Sequence, residues 1–308
     1  MEQEEKKNIP YHIPVLLNEA IQLLEIRENG IYVDVTFGGG GHSKEILKSL
    51  SSKGKLIAFD RDADAQKNKI DDERFMLIHS SFKNIGKELQ LIGVEKVDGL
   101  LADLGVSSHQ FDEAERGFSF RFDARLDMRM DDREEKNAKH IINHYQSKQL
   151  QEMFSQYGEV HNARTLANAI VEERQREKVE TIQQFLKLLS RYADKKDEKG
   201  YYAKVFQALR IEVNEELQQL KELLVQCNQL MNSEGRLVVI SYHSLEDKIV
   251  KNFISYGTFS NEPEKDIYGN ITTKHFTAIT KKPIEPSATE IENNPRARSA
   301  RMRAGKKD

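Results

Sequence analysis

The sequence predicts an α/β fold, a mostly parallel sheet covered by helices on both faces and interrupted by a helical insertion. Three observations predict it. Near-continuous apolar runs, Ile31-Tyr32-Val33, Lys55-Leu56-Ile57-Ala58-Phe59, Phe75-Met76-Leu77-Ile78 and Val97-Asp98-Gly99-Leu100-Leu101-Ala102, alternate with helix-like segments, as strands buried on both faces require. Four consecutive glycines, Gly38 to Gly41, join the first strand to the helix after it. From residue 137 to 192 the strand pattern stops and four helical patterns follow one another.

In chain order, residues 1–10 are charged and expected to be loose. His12 to Leu24 reads as an entry segment and a helix, with Leu16, Ala20, Leu23 and Leu24 on one face. The first strand ends in Asp34, and after the glycines Ser43 is the expected N-cap of a helix over Lys44 to Leu50. Strand, glycine turn and helix begin a Rossmann-like unit, in which backbone N–H groups at the helix start favour an anionic or strongly polar ligand. The second strand ends in Asp60, where a carboxylate can accept both hydroxyls of a ribose. That suits NAD and S-adenosylmethionine equally. Two features favour the methyl donor: Ser43 stands where a dinucleotide fingerprint has its third glycine, and Asp34 would repel a pyrophosphate but suit an ammonium group. Further helices are expected from 63 and over 82–91, and Phe82 and Asp103 fall just past strand ends, where ligands of such sheets bind.

Segment 104–135 breaks the alternation. Arg116-Gly117-Phe118-Ser119-Phe120-Arg121-Phe122 interleaves arginine with three aromatic rings, which fits stacking on bases and pairing with phosphates, and equally fits an edge or loop that packs two phenylalanines inward. Asp127 to Asp132 alternates charge signs and reads as internal salt bridges; no metal site is expected there or elsewhere. Helices are expected over 138–145, 147–157, 162–174 and 181–192, and a single long one from Ala203 to Met231 with Cys227 on its apolar face. Arg236 to Ile240 is a strand, followed by Ser244 as a helix cap with Asp247 at its third position, and His243 lies at the strand's carboxyl end as a structural residue or a substrate contact. Asn270 to Thr280 alternates like a late strand. The basic run with Arg296, Arg298, Arg301 and Arg303 reads by default as a solvated tail, and alternatively as a phosphate contact. The division expected is 1–111 and 203–308 for the α/β domain, with 112–202 as the helical insertion.

Composition narrows the chemistry. The 308 residues are 38% hydrophobic, enough for a sizeable core, and a net charge of −3 excludes nucleic-acid binding by bulk charge alone. The polar N-terminus is no signal peptide, no apolar run is long enough to span a membrane, and one cysteine rules out an internal disulfide, all of which fits the cytoplasm. If the acceptor is a nucleic acid, the lone Cys227 on a core-facing helix is a poor nucleophile for carbon 5 of cytosine. That leaves an exocyclic amine or a ribose hydroxyl, with Asp103 placed to hold an amine N–H and align the nitrogen. Any such base must be turned out of its stack.

The segments HIPVLLNEA, YVDVTFGGGGHS, AFDRDADA, DGLLADLGVSSHQFDEAERGFSFRFDARLDMRMD, FQALRIEVNEEL, GRLVVISYHSLEDKIVK and NPRARSARMR together resemble the bacterial 16S rRNA cytosine-N4 methyltransferase family, over residues 11 to 304. The resemblance implies a class I, Rossmann-like, S-adenosylmethionine-dependent methyltransferase with an inserted small helical domain. It implies methylation of the N4 of a decoding-centre (P-site) cytidine, and 16S rRNA, within the 30S subunit, as partner. Donor-contacting residues carried over are Gly40, Gly41, His42, Asp60, Phe82, Asp103 and Gln110; His109 stands where many members have proline. A catalytic role for Asp103 is an expectation from the residues, as are RNA contacts from Arg116, Phe118, Phe120, Arg121, His243 and the four tail arginines. Competing readings are an NAD-dependent oxidoreductase, an RNA-binding assembly factor that has kept the pocket, and a DNA amino-methyltransferase; against the last, Asp103-Leu104-Gly105-Val106 lacks the Pro-Pro-aromatic run of those enzymes. Whether the chain is a monomer or a homodimer is left open.

Overall fold

The computed structural model describes residues 14–263, 265–269 and 271–308, so the charged N-terminus, His12, Ile13 and the first residue of the expected late strand, Asn270, lie outside the described residues. Two compact units emerge: the described part of Met1–Gly105 with Lys221–Asp308, and Val106–Leu220. Along the first come α1 (Leu17–Leu24), β1 (Ile31–Asp34), α2 (Gly41–Ser49), β2 (Lys55–Asp60), β3 (Phe75–His79), α3 (Ile85–Leu91) and β4 (Val97–Asp103). Next are α4 (Ser108–Asp112), α5 (Ala138–His144), α6 (Ser147–Gly158), α7 (Ala163–Arg176), α8 (Ile182–Leu189), α9 (Glu198–Asn214) and α10 (Glu216–Leu230). The chain closes with β5 (Met231–Ser241), α11 (Ser244–Tyr256), β6 (Phe276–Ala278), α12 (Ala288–Asn293) and β7 (Arg301–Lys307).

The strands form one sheet of order β3-β2-β1-β4-β5-β7-β6. β1 to β5 run parallel, and β7 runs antiparallel to both β5 and β6. Leu56, Ala58, Phe59, Leu100, Leu101, Leu237 and Val238 are fully enclosed, because helices cover both faces; each of the leucine, valine and phenylalanine side chains contributes about 1.5–3 kcal/mol of burial. The chain leaves β1 to one side and β4 to the other, so the carboxyl ends of these neighbours bound the crevice at which strand order reverses. Asp34, Asp60 and Asp103 are the last residues of β1, β2 and β4, all at that edge.

Several elements depart from their expected limits. α2 starts at Gly41, with Gly40 as N-cap at φ 74°, so Ser43 sits inside the first turn rather than capping it. The helix expected from 63 is a 3-10 turn, Ala63–Asn68. The late strand shrinks to three residues. The basic tail is β7, an interior strand of the sheet, since Arg303 pairs in register with Val239 and Met302 and Ala304 are enclosed. The long run from Ala203 is two helices, parted at Glu215, whose positive φ of 50° ends α9. Arg210 clamps Glu216 across that break through two hydrogen bonds of 2.8 and 2.9 Å, and the Asn214 side chain accepts from Met130 N and donates to Met128 O, both at 2.8 Å. Apolar spacing continued through the break because both helices bury a face.

In the second unit, Phe118, Leu126, Met128 and Met130 from the irregular segment join Ile141, Phe154, Leu166, Ile170, Phe185, Phe206 and Leu209 in one core. As expected, the acid-rich stretch is laced internally: Arg129 grips Asp127 with two hydrogen bonds of 2.8 Å, and Arg133 grips Asp131 at 2.8 and 2.6 Å.

Candidate active site

The crevice is assembled from strand ends that fasten one another. Asp34 is turned inward and buried. One carboxylate oxygen accepts from Thr36 N at 3.1 Å, and the other from Ser43 Oγ at 2.7 Å, tying the end of β1 to the first turn of α2. Burial raises its pKa, with His42 and the Ser43 hydrogen bond opposing that rise. Asp34 therefore shapes the glycine loop, each of its oxygens taking a hydrogen bond from the protein. Thr36 extends the tie to β4, its Oγ1 accepting from Asp103 N at 2.7 Å.

Two of the loop's glycines, Gly40 and Gly41, have no room for a side chain. A Cβ on Gly40 would stand 2.8 Å from the Phe37 ring, besides having to adopt a positive φ, and one on Gly41 would stand 2.8 Å from Pro14. Asp60 accepts from Gly38 N and from Asp62 N, both at 2.8 Å, so the carboxylate that ends β2 also fixes the approach of the loop. Each oxygen keeps a second lone pair for a hydroxyl donor. Burial lifts the Asp60 carboxyl from 3.8 to about 6. Phe82 is buried at the start of the short turn after β3.

His42 lies in the first turn of α2, enclosed. Its Nε2 is 3.0 Å from the carbonyl oxygen of Val15, which can only accept, so Nε2 carries the proton and Nδ1 faces Oδ2 of Asp103 at 3.9 Å. The other oxygen of Asp103 accepts from the Tyr242 hydroxyl at 2.7 Å. Burial lifts the Asp103 carboxyl to about 6, opposed by His42 and the Tyr242 hydrogen bond. Tyr242 is pushed well above its ordinary value by burial and by the Asp103 charge, and stays a phenol that donates. Thr36 and Tyr242 are the residues that sequence reasoning missed. Their only signal was position, one just past β1 and one just past β5.

Gln110 belongs to the helical unit. Its backbone N–H donates to Ser107 Oγ at 3.2 Å and its Oε1 accepts from Ser107 N at 3.1 Å, a capping box that opens α4. The expected RNA contacts divide. Arg116 donates to the carbonyls of Arg129 and Met130, both at 3.1 Å; Phe118 is buried; and Phe120 packs edge-on against Tyr202 and Phe206. Phe118 and Phe120 thus pack inward, as one reading of the run expected of two rings, whereas its third ring, Phe122, is 45% exposed. Arg121 is exposed. On the tail, Arg296, Arg298 and Arg301 are exposed, but Arg303 is buried and donates to both oxygens of Asp247, at 2.5 and 3.0 Å. Arg303 is thus a structural ion pair and not a surface cation, because β7 carries its side chain into the protein. His243 lies at the N-cap of α11 with its ring enclosed, and Ser244 is the first helical residue, one position later than expected. No helix among the described residues is long and apolar enough to cross a membrane.

A parallel sheet whose final strand is reversed and slotted inside the edge, over a glycine loop and acidic strand ends, is the domain of Rossmann-like methyltransferases that use S-adenosylmethionine. The residues fit that donor, since two part-buried carboxyls with raised proton affinity suit a positive or hydroxyl-donating partner, and it offers a sulfonium, an ammonium and ribose hydroxyls. The chain belongs to the MraW methylase family, whose model matches residues 10–308. It is 55% identical over 300 residues, 97% of this chain and all of the relative, to the ribosomal RNA small subunit methyltransferase H of Cytophaga hutchinsonii. It is 52% identical over 299 residues, 96% of this chain and 98% of the relative, to the protein of that name from Christiangramia forsetii. The crystal structure of an rRNA methylase from Streptococcus thermophilus is a looser likeness, with a TM-score of 0.41, 12% identity, and coverage of 94% of this chain and 92% of that one.

Proposed function

We propose that the protein transfers the methyl group of S-adenosylmethionine to the exocyclic N4 of a P-site cytidine in 16S rRNA. The observation that carries the reading is the end-to-end identity with relatives named ribosomal RNA small subunit methyltransferase H. The finer choice of N4 is supported by chemistry. Cys227 is fully enclosed and burial pushes its thiol up to about 12, so the covalent route to carbon 5 of cytosine lacks a thiolate. An amine acceptor needs no nucleophile from the protein. It needs alignment with the methyl group and an acceptor for N–H, because its lone pair is delocalised into the ring.

In this reading the donor supplies an electrophilic methyl group, and the chain supplies position and charge. Asp60 holds ribose hydroxyls, and the close backbone at Gly40 and Gly41 seats the donor beside α2. Asp103, its side chain held by the Tyr242 hydroxyl and its backbone N–H by Thr36, presents negative charge at the end of β4, where positive charge is transferred to the amine. Tritiated donor incubated with 30S subunits from a strain lacking the modification tests this. Label recovered as N4-methylcytidine at one site is the expected result, with Asp103→Ala reducing transfer at least tenfold. Label on another atom would overturn the choice of N4, and label on neither 30S subunits nor free 16S rRNA would favour an RNA-binding assembly role.

A further inference from the structure

His243 is a buried histidine whose ring lies beside a buried carboxylate, Glu246. Its side chain is 6% exposed, and among the described residues neither ring nitrogen has a hydrogen-bond partner. Buried polar groups in folded proteins are as a rule hydrogen-bonded, so an enclosed imidazole without a partner calls for a functional account. One flank is provided. Nε2 lies 3.3 Å from Oε1 of Glu246, one helical turn along α11, close enough to pair when the ring is charged but without the alignment of a hydrogen bond. Glu246 is itself held: it is buried, and its other oxygen accepts from Tyr242 N at 2.9 Å.

The turn that carries His243 is the same one that grips the reacting edge. Ile240 is in register with Asp103, and Tyr242, next in chain to His243, donates its hydroxyl to Asp103. Glu246, Tyr242 and Asp103 therefore form one connected chain of contacts. His243 lies just past the carboxyl end of β5, and its Nδ1, the nitrogen that Glu246 does not flank, has no hydrogen-bond partner among the described residues.

We propose that His243, flanked by Glu246, is the acceptor-side catalytic base, contacting the cytosine amino group through Nδ1 and receiving its proton. The inference rests on the N4 reading above and names the group that the acceptor meets. In the step, the bond from N4 to the methyl carbon forms as the carbon–sulfur bond breaks, and sulfur keeps that electron pair. N4, now carrying one hydrogen too many and a positive charge, passes a proton to Nδ1. The resulting imidazolium is stabilised by the Glu246 carboxylate until the proton returns to water. Asp103 then serves charge and alignment, and His243 serves the proton.

The test uses the full-length protein with 30S acceptor and saturating donor. His243→Gln and His243→Ala are compared with wild type for single-turnover transfer, donor affinity is measured in parallel by calorimetry, and imidazole is added to His243→Ala. A positioned base is worth about 10²- to 10⁴-fold. Expected are a fall of at least 100-fold in both variants, donor affinity within about threefold of wild type, and at least tenfold recovery of His243→Ala with imidazole. Glu246→Gln, which keeps shape and removes charge, should lose about tenfold to 100-fold in rate with little change in acceptor KM. Transfer by His243→Gln within about threefold of wild type would overturn the proposal, as would a loss that imidazole does not relieve or that tracks lost donor affinity. A wild type that puts no label on N4 refutes the N4 reading itself; a wild type that does so beside an equally active His243→Gln refutes only the role of His243.

Discussion

Asp60 and Asp103 are carboxyls that the fold makes reluctant to ionise, both lifted from 3.8 to about 6 by burial. Between pH 4 and 6 the folded chain therefore binds more protons at these positions than the unfolded chain, so their contribution to stability falls as pH rises through that window. A tenfold rise in a group's proton affinity corresponds to about 1.4 kcal/mol, so of order 1–3 kcal/mol per carboxyl is forfeited by pH 7 in the donor-free protein. The donor, with its positive charge and hydroxyls, returns part of it. The increase in melting temperature caused by S-adenosylmethionine should accordingly be several degrees larger at pH 7.5 than at pH 5, as differential scanning fluorimetry would show. Asp103→Asn should raise the melting temperature of the donor-free protein at pH 7.5 but not at pH 5, while weakening the donor about tenfold or more, a trade of function for stability. An unchanged melting temperature at pH 7.5 would show that the Asp103 charge is already compensated in the free protein.

The glycine loop and α2 form the element on which donor affinity depends, and its weakness to substitution is steric. Gly40→Ala must place a Cβ against the Phe37 ring at a φ of 74°, and the left-handed conformation alone costs about 1–2 kcal/mol. The loss should appear as a melting temperature lower by several degrees together with reduced donor affinity in calorimetry. Reduced stability with unaltered affinity would mean that the loop relaxes away from the donor. The broken helix at Glu215 and the short 3-10 turn after β2 were not legible in the sequence. A periodic apolar stripe reports that a face is buried, and it is blind to a single residue whose φ turns positive because Asn214 and Glu216 are held by partners distant in sequence or across the bend.

For the molecule as a whole, the tail is the point at which the two readings of the sequence diverge most in consequence. As β7 it lies between β5 and β6 and brings Arg303 onto Asp247. Ending the chain after Ala300 should then abolish cooperative unfolding, since it removes an interior strand and leaves Asp247 buried without its main partner, a loss of about 3–5 kcal/mol from the ion pair alone. Circular dichroism melts decide this, and a truncated chain that melts like the full one would return the tail to the surface. Arg298→Glu, by contrast, alters an exposed residue; it should leave the melting temperature within about 2 °C, and weaken RNA binding with a shallower salt dependence if the tail's surface meets phosphate.

What the sequence determined alone is whatever depends on neighbours along the chain: the β-α alternation, the glycine turn, the acids at the ends of β1, β2 and β4, the helical run between strands, and the family resemblance those motifs carry. The assignment of Phe118 to a core, of Asp34 to Ser43 and Thr36, of Tyr242 to Asp103, and of Arg303 to Asp247 was decided only by the tertiary structure. The physical reason is the same in each case. Periodicity and backbone preference are local, whereas an ionisable or aromatic side chain takes its role from the partner that folding brings to it, and β7 in particular became a strand because β5 and β6 offered it unpaired edges.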